Sequence, residues 1–139
     1  MKFARIRPVP LAVLMTCIAG CGGDDGPTTP APYTQTMSGT VAVFGSTTHS
    51  LSIIRSGQMT LDLIWADPTI DLDLYLTATS CTQLYPKANC LIHLASNSAV
   101  GVVRESIARS VTSGEGFTIW VDNLSVAKAS TYSLNLTIQ

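Results

Sequence analysis

Charge is scarce in this chain. Of its 139 residues only 12% are charged, and 8 Lys+Arg against 9 Asp+Glu leave a formal net charge of −1. A nucleic-acid binder needs a basic excess, so that class is excluded. The low charge also speaks against a charged coiled coil, and a hydrophobic content of 46% speaks against intrinsic disorder. Long apolar runs are missing too: the stretch from Pro8 to Ile18 is too short to cross a bilayer as a helix. No segment carries a 3.6-residue apolar period, and Glu and Lys, which fill exposed helix faces, are few after the first twenty residues. Catalytic signatures are lacking as well. There is no Gly-x-Ser-x-Gly, and His49 and His93 have no neighbours that mark a triad, so both read as strand residues. The length fits one domain.

What is present begins at the amino end. Lys2, Arg5 and Arg7 precede the apolar stretch, and small residues follow it, which is the order of a secretory signal over residues 1–20. Ile18-Ala19-Gly20-Cys21 resembles the lipobox of bacterial lipoproteins, which implies cleavage before Cys21 and a lipid on its sulfur, hence a membrane-attached protein. By the same resemblance Gly22, where an Asp favours inner-membrane retention, points to the outer membrane. Cleavage leaves five cations (Arg55, Lys87, Arg104, Arg109 and Lys128) against nine anions, a net charge of −4. Residues 21–37 hold Pro27, Pro30 and Pro32 with no apolar periodicity and read as a tether. At ~3 Å per residue it would lift the domain roughly 40 Å from the lipid. The folded unit is then expected over 38–139.

Four cysteines reduce to one pair. Cys17 leaves with the signal and Cys21 goes to lipid, so Cys81 and Cys90 are expected to form a disulfide in an oxidising compartment. A metal site from Cys81, Cys90, His93 and His49 is disfavoured, because structural zinc sites usually show closely paired ligands.

Period two dominates the rest. Met59, Leu61, Leu63 and Trp65 alternate, as do Ile70, Leu72, Leu74 and Leu76, then Phe117, Ile119 and Val121, then Tyr132, Leu134, Leu136 and Ile138. Ser56-Gly57, Asp67-Pro68, Ser113-Gly114 and residues 125–130 carry the turn signals between them. Weaker strands near 39–44, 48–55, 90–95 and 102–110 bring the total to about eight. So many one-sided strands require an all-β, two-sheet antiparallel β-sandwich.

The run from Ser56 to Trp65, Asp71-Leu72-Asp73-Leu74-Tyr75-Leu76, Glu105-Ser106-Ile107, Gly116 to Asn123, and Thr131 to Leu136 together resemble the bacterial pre-peptidase C-terminal domain. That resemblance implies a jelly-roll sandwich of the kind usually attached behind secreted peptidases, with relatives that bind collagen or other polymers, some with calcium. No peptidase precedes the domain in this sequence, and the cysteine loop is longer than the pattern needs.

Asp71 and Asp73 sit two apart on a strand, so they share a face with Cα atoms roughly 6.5 to 7 Å apart. With Asp67 or Asp122 and backbone carbonyls they form a candidate set of oxygen ligands for calcium, although nothing matches the EF-hand spacing. As a glycosidase pair they are poorly placed, because both carboxyls point the same way. Trp65 shares the apolar phase and belongs in the core, whereas Trp120 is out of phase with Phe117, Ile119 and Val121. Trp120, with Tyr75 on the aspartate face, is the candidate aromatic binding platform. The expectation is a non-catalytic cell-envelope lipoprotein presenting a binding or structural sandwich, partnered with an envelope protein, a peptidase or a polysaccharide. The alternatives are a calcium-dependent adhesion or polymer-binding module, an accessory subunit of a secreted peptidase, and a small envelope hydrolase.

Overall fold

The computed structural model describes residues 30–84, 90–96 and 101–139. The signal segment and Cys21 lie outside the described residues. Eight strands follow one another: β1 (Tyr33–Val41), β2 (Ser46–Ser52), β3 (Gly57–Trp65), β4 (Leu72–Ala78), β5 (Ile92–Ser96), β6 (Arg104–Val111), β7 (Gly116–Asn123) and β8 (Ser130–Ile138). They form two four-stranded sheets in the orders β1-β8-β3-β6 and β2-β7-β4-β5, and every pairing is antiparallel. This order is that of a jelly roll, in which nearly every connection carries the chain from one sheet to the other. Only β4 and β5 are consecutive neighbours within a sheet.

The strands arise where alternation predicts them, with one correction at the amino end. β1 begins at Tyr33, so residues 33–37 belong to the sandwich and not to the tether. Its register with β8 runs from Tyr33↔Ile138 to Val41↔Ser130. As an edge strand β1 is held mainly by backbone bonds to β8, so Thr34, Gln35 and Thr36 can stay exposed without weakening it.

The apolar phases of both sheets meet in one core. Met59, Leu61 and Leu63 of β3, Leu72, Leu74 and Leu76 of β4, Ile119 and Val121 of β7, and Leu134 of β8 are completely buried. Each such side chain stabilises the fold by roughly 1.5–3 kcal/mol relative to exposure. Trp65 is in the core as its phase requires, and its indole N–H donates to the Ile70 carbonyl at 3.0 Å, fixing the β3–β4 turn.

Polar contacts pin the two layers at both lateral margins. On one side Glu105 of β6, buried, accepts the backbone N–H of Leu74 from the opposite sheet at 3.0 Å. On the other side His49 of β2 meets the buried Tyr132 hydroxyl of β8 at 2.7 Å. Room for that hydroxyl is made by Gly39, where an added Cβ would lie 2.6 Å from the Tyr132 oxygen.

Candidate functional site

The outward face of the β2-β7-β4-β5 sheet is not a bare polar surface. Its registers set Asp73 against Asp122, Tyr75 against Trp120 and Thr77 against Thr118. After β4 the chain turns back over this face, and Cys81 and Cys90 are joined by a disulfide with Cα atoms 4.7 Å apart. Tyr75, Cys81, Leu84 and Trp120 form a second buried cluster, with Cys90 and Ile92 packed against it. This corrects the aromatic-platform expectation. Tyr75 and Trp120 are only 6% and 7% exposed, and the Trp120 indole N–H donates to the Thr77 hydroxyl at 3.0 Å. The phase argument put Trp120 on the outer face correctly; what it missed is the loop laid over that face.

Beside the aromatics lies an acidic group. Asp73 and Asp122 are both buried, and Asp71 stands at the entrance of β4. The Tyr75 hydroxyl donates to Asp73 Oδ2 at 2.9 Å, and the Ser46 hydroxyl donates to Asp122 Oδ1 at 2.7 Å. Among the described residues, Asp71 Oδ1 and Asp73 Oδ1 are buried without a hydrogen-bond partner. Burial, reinforced by the charges of Asp71 and Asp122, raises the Asp73 pKa above the ordinary carboxylate value, against the lowering effect of the Tyr75 bond. Of the four proposed calcium ligands, Asp67 stands apart. It accepts from the Thr69 backbone and hydroxyl and pairs with Lys128 at 2.9 Å, which holds its pKa at about 2. Among the described residues no set of three or more His, Cys, Asp or Glu side chains is arranged to hold a metal ion.

The molecule has two unlike poles. Tyr33, where the amino-terminal segment enters, lies at the pole that also holds Ile138 and the β2–β3 and β6–β7 turns. β1 is nine residues long, so Val41 and the turn after it sit roughly 30 Å away at the opposite pole. Most of the exposed large apolar side chains lie there, although Ile54 of the β2–β3 turn and Leu91 before β5 do not. The β1–β2 turn carries Val43 and Phe44, and the β7–β8 loop carries Leu124 and Val126; Phe44 and Val126 are 68% and 72% exposed. The turn and the loop are joined. Phe44 N–H donates to the Ser125 carbonyl, and Asn123 N–H donates to the Gly45 carbonyl. The fully buried Asn123 side-chain amide donates to the Ala42 and Lys128 carbonyls at 3.0 and 2.9 Å, and its oxygen accepts from Ser125 N–H at 2.9 Å. Sequence reasoning missed this assembly, because a buried asparagine bridging two loops leaves no periodic trace.

No protein-family model matches the sequence, and no curated protein matches it either. Solved structures do. The mitogen derived from Yersinia pseudotuberculosis is 19% identical, with a TM-score of 0.56 over 78% of this chain and 88% of that one. The periplasmic inhibitor of g-type lysozyme from Aeromonas hydrophila is 13% identical, with a TM-score of 0.53 over 76% and 86%. The pre-peptidase C-terminal domain of a Bacillus anthracis collagenase is 10% identical, with a TM-score of 0.49 over 73% and 87%. At these identities the likeness is one of fold.

Proposed function

We propose that the chain is a non-catalytic binding module displayed at the bacterial cell envelope, outer membrane rather than inner, on a lipid carried by Cys21. The observation that carries this reading is the polarity of the sandwich. The segment leading back to Cys21 joins at one pole, and most of the exposed large apolar side chains lie at the other. Fold likeness to an envelope inhibitor and a mitogen supports a display role without naming a ligand. The test is mass spectrometry of the peptide bearing Cys21, with Cys21→Ala as control. A diacylglyceryl adduct, and release of the variant to the soluble fraction, are expected; an unmodified sulfur on a soluble protein overturns the reading.

A second reading, calcium-dependent adhesion or polymer binding, is favoured by the two buried carboxylate oxygens of Asp71 and Asp73 that lack a donor. A rise in melting temperature at millimolar calcium, lost in Asp73→Asn, supports it. No shift removes it.

A further inference from the structure

We infer that the corner of the β2-β7-β4-β5 sheet holding Asp71, Asp73 and Asp122 is a receptor for an arginine side chain offered by a partner protein, its guanidinium at the carboxylates and its stem against Phe44 and Leu124. This rests on the reading of the chain as a non-catalytic binding module and names the chemistry of its partner.

The strand registers build the corner. Ser46 lies opposite Asp122 and Asp122 opposite Asp73, so these three form one row across β2, β7 and β4. The next row down pairs Trp120 with Tyr75, which close the floor. Asp71, half-buried, stands at the mouth, and its charge and that of Asp122 both act on Asp73. Leu124 N–H donates to the Asp71 carbonyl at 3.2 Å, and Asn123 N–H donates to the Gly45 carbonyl at 2.9 Å. These two bonds bring the exposed Leu124 and Phe44 to the same corner as the carboxylates.

The three carboxylates have no cation of their own. Among the described residues Arg104 pairs with Asp62, Arg109 with Glu115 and Lys128 with Asp67, while Arg55 donates to the Ala31 carbonyl. Only neutral hydroxyls, from Ser46 and Tyr75, are seen to donate to the group. Asp73 is nine-tenths buried and more, yet its Oδ1, like Asp71 Oδ1, has no donor among the described residues. A buried carboxylate oxygen left without a donor is costly, and an N–H carried in by a ligand would supply it.

Charge and shape together select the ligand. An apolar partner would cover the carboxylates without pairing them, at a further cost in desolvation. Calcium needs oxygens that converge on one point, and no set of three or more acidic, cysteine or histidine side chains among the described residues does so. A guanidinium is wide and planar, with five donors in a fixed fork, so it serves carboxylates spread along two strands. It is weakly hydrated and stacks on aromatic rings, and the Phe44 ring is 68% exposed beside it. Leu124, 44% exposed, covers the methylene stem. An ammonium is compact and strongly hydrated, and has no plane to lay on a ring.

The experiment titrates the full-length protein in detergent micelles with the blocked peptide acetyl-Leu-Arg-Leu-amide, following tryptophan emission and backbone amide shifts. The same peptide with lysine or with uncharged citrulline in place of arginine is the control. Expected is saturable binding of the arginine peptide, weaker by about tenfold or more with citrulline and weaker again in 0.5 M salt. Asp71→Asn and Asp122→Asn should each weaken it about tenfold, and Phe44→Ser should bring its affinity down to that of the lysine peptide. Equal binding of citrulline, an affinity unchanged by these substitutions, or no saturable binding overturns the proposal. So does calcium at 5 mM displacing the peptide through Asp71 and Asp122, which would make this a metal site. In the native envelope, benzoylphenylalanine at position 124 should give a protein adduct that the arginine peptide suppresses and the citrulline peptide does not. An adduct to lipid, an adduct indifferent to both peptides, or none at all removes the protein partner. Cleavage of the peptide would instead overturn the non-catalytic reading, and an unlipidated Cys21 the anchor, while neither outcome alters the titration.

Discussion

Asp73 shows how one residue can be placed correctly by sequence and still be misjudged. Two-residue spacing put Asp71 and Asp73 on one face; Asp73 lies in β4 and Asp71 stands immediately before it. Alternation alone could not show that Asp73 is 3% exposed, because period two assigns a face but not whether that face is covered. Burial raises its pKa, so the folded protein binds this proton more tightly than the unfolded chain does. Its contribution to stability therefore declines as pH rises from the unfolded value of 3.8 through the raised folded value. Asp73→Asn removes that burden and leaves an amide oxygen for the Tyr75 hydroxyl. In calcium-free buffer at pH 7–8 the variant should melt higher than the parent by roughly 2–5 °C, and the gap should close near pH 4. Circular dichroism melts at several pH values check this; a variant that melts lower throughout contradicts it.

Among the elements, the strands of the inner sheets were readable because burial on one face leaves a period-two record. Met59 to Trp65 and Tyr132 to Ile138 are examples, and each became a strand with those residues buried. β1 was read too short, since an edge strand of Thr, Gln and Ser is specified by its partner's backbone more than by its own side chains. The sequence shows a disulfide between Cys81 and Cys90 but not that Cys81 and Leu84 cover Tyr75 and Trp120, because packing between a loop and a sheet face has no sequence period. Replacing both Cys81 and Cys90 by Ser should cost about 2–3 kcal/mol through loop entropy. It should also loosen the cover over Trp120 and red-shift the tryptophan emission, Trp65 remaining in the core. An unchanged spectrum would show that the cover stands without the bridge.

For the whole molecule, the joint between the sheets is the sensitive part. His49 reaches across to Tyr132, and burial lowers its pKa below the ordinary histidine value of 6.5. The folded state thus binds this proton less readily than the unfolded chain, so its contribution is intact above pH 6.5 and is lost as pH falls below it. In an Asp73→Asn background, where the opposing carboxylate is gone, the melting temperature should drop between pH 7 and pH 5, and the drop should shrink when His49→Gln is added. If the double variant shows the same pH dependence as Asp73→Asn alone, the joint is not the titrating element.

The order β1-β8-β3-β6 has a consequence for how the chain comes together. β8, the last of the eight strands along the chain, is the wedge between β1 and β3. Until it arrives, that layer is two fragments with raw edges, and most partners are far apart along the chain, a topology that closes slowly. Shortening the chain within β8 would leave this sheet permanently split, with the raw edges of β1 and β3 unpaired.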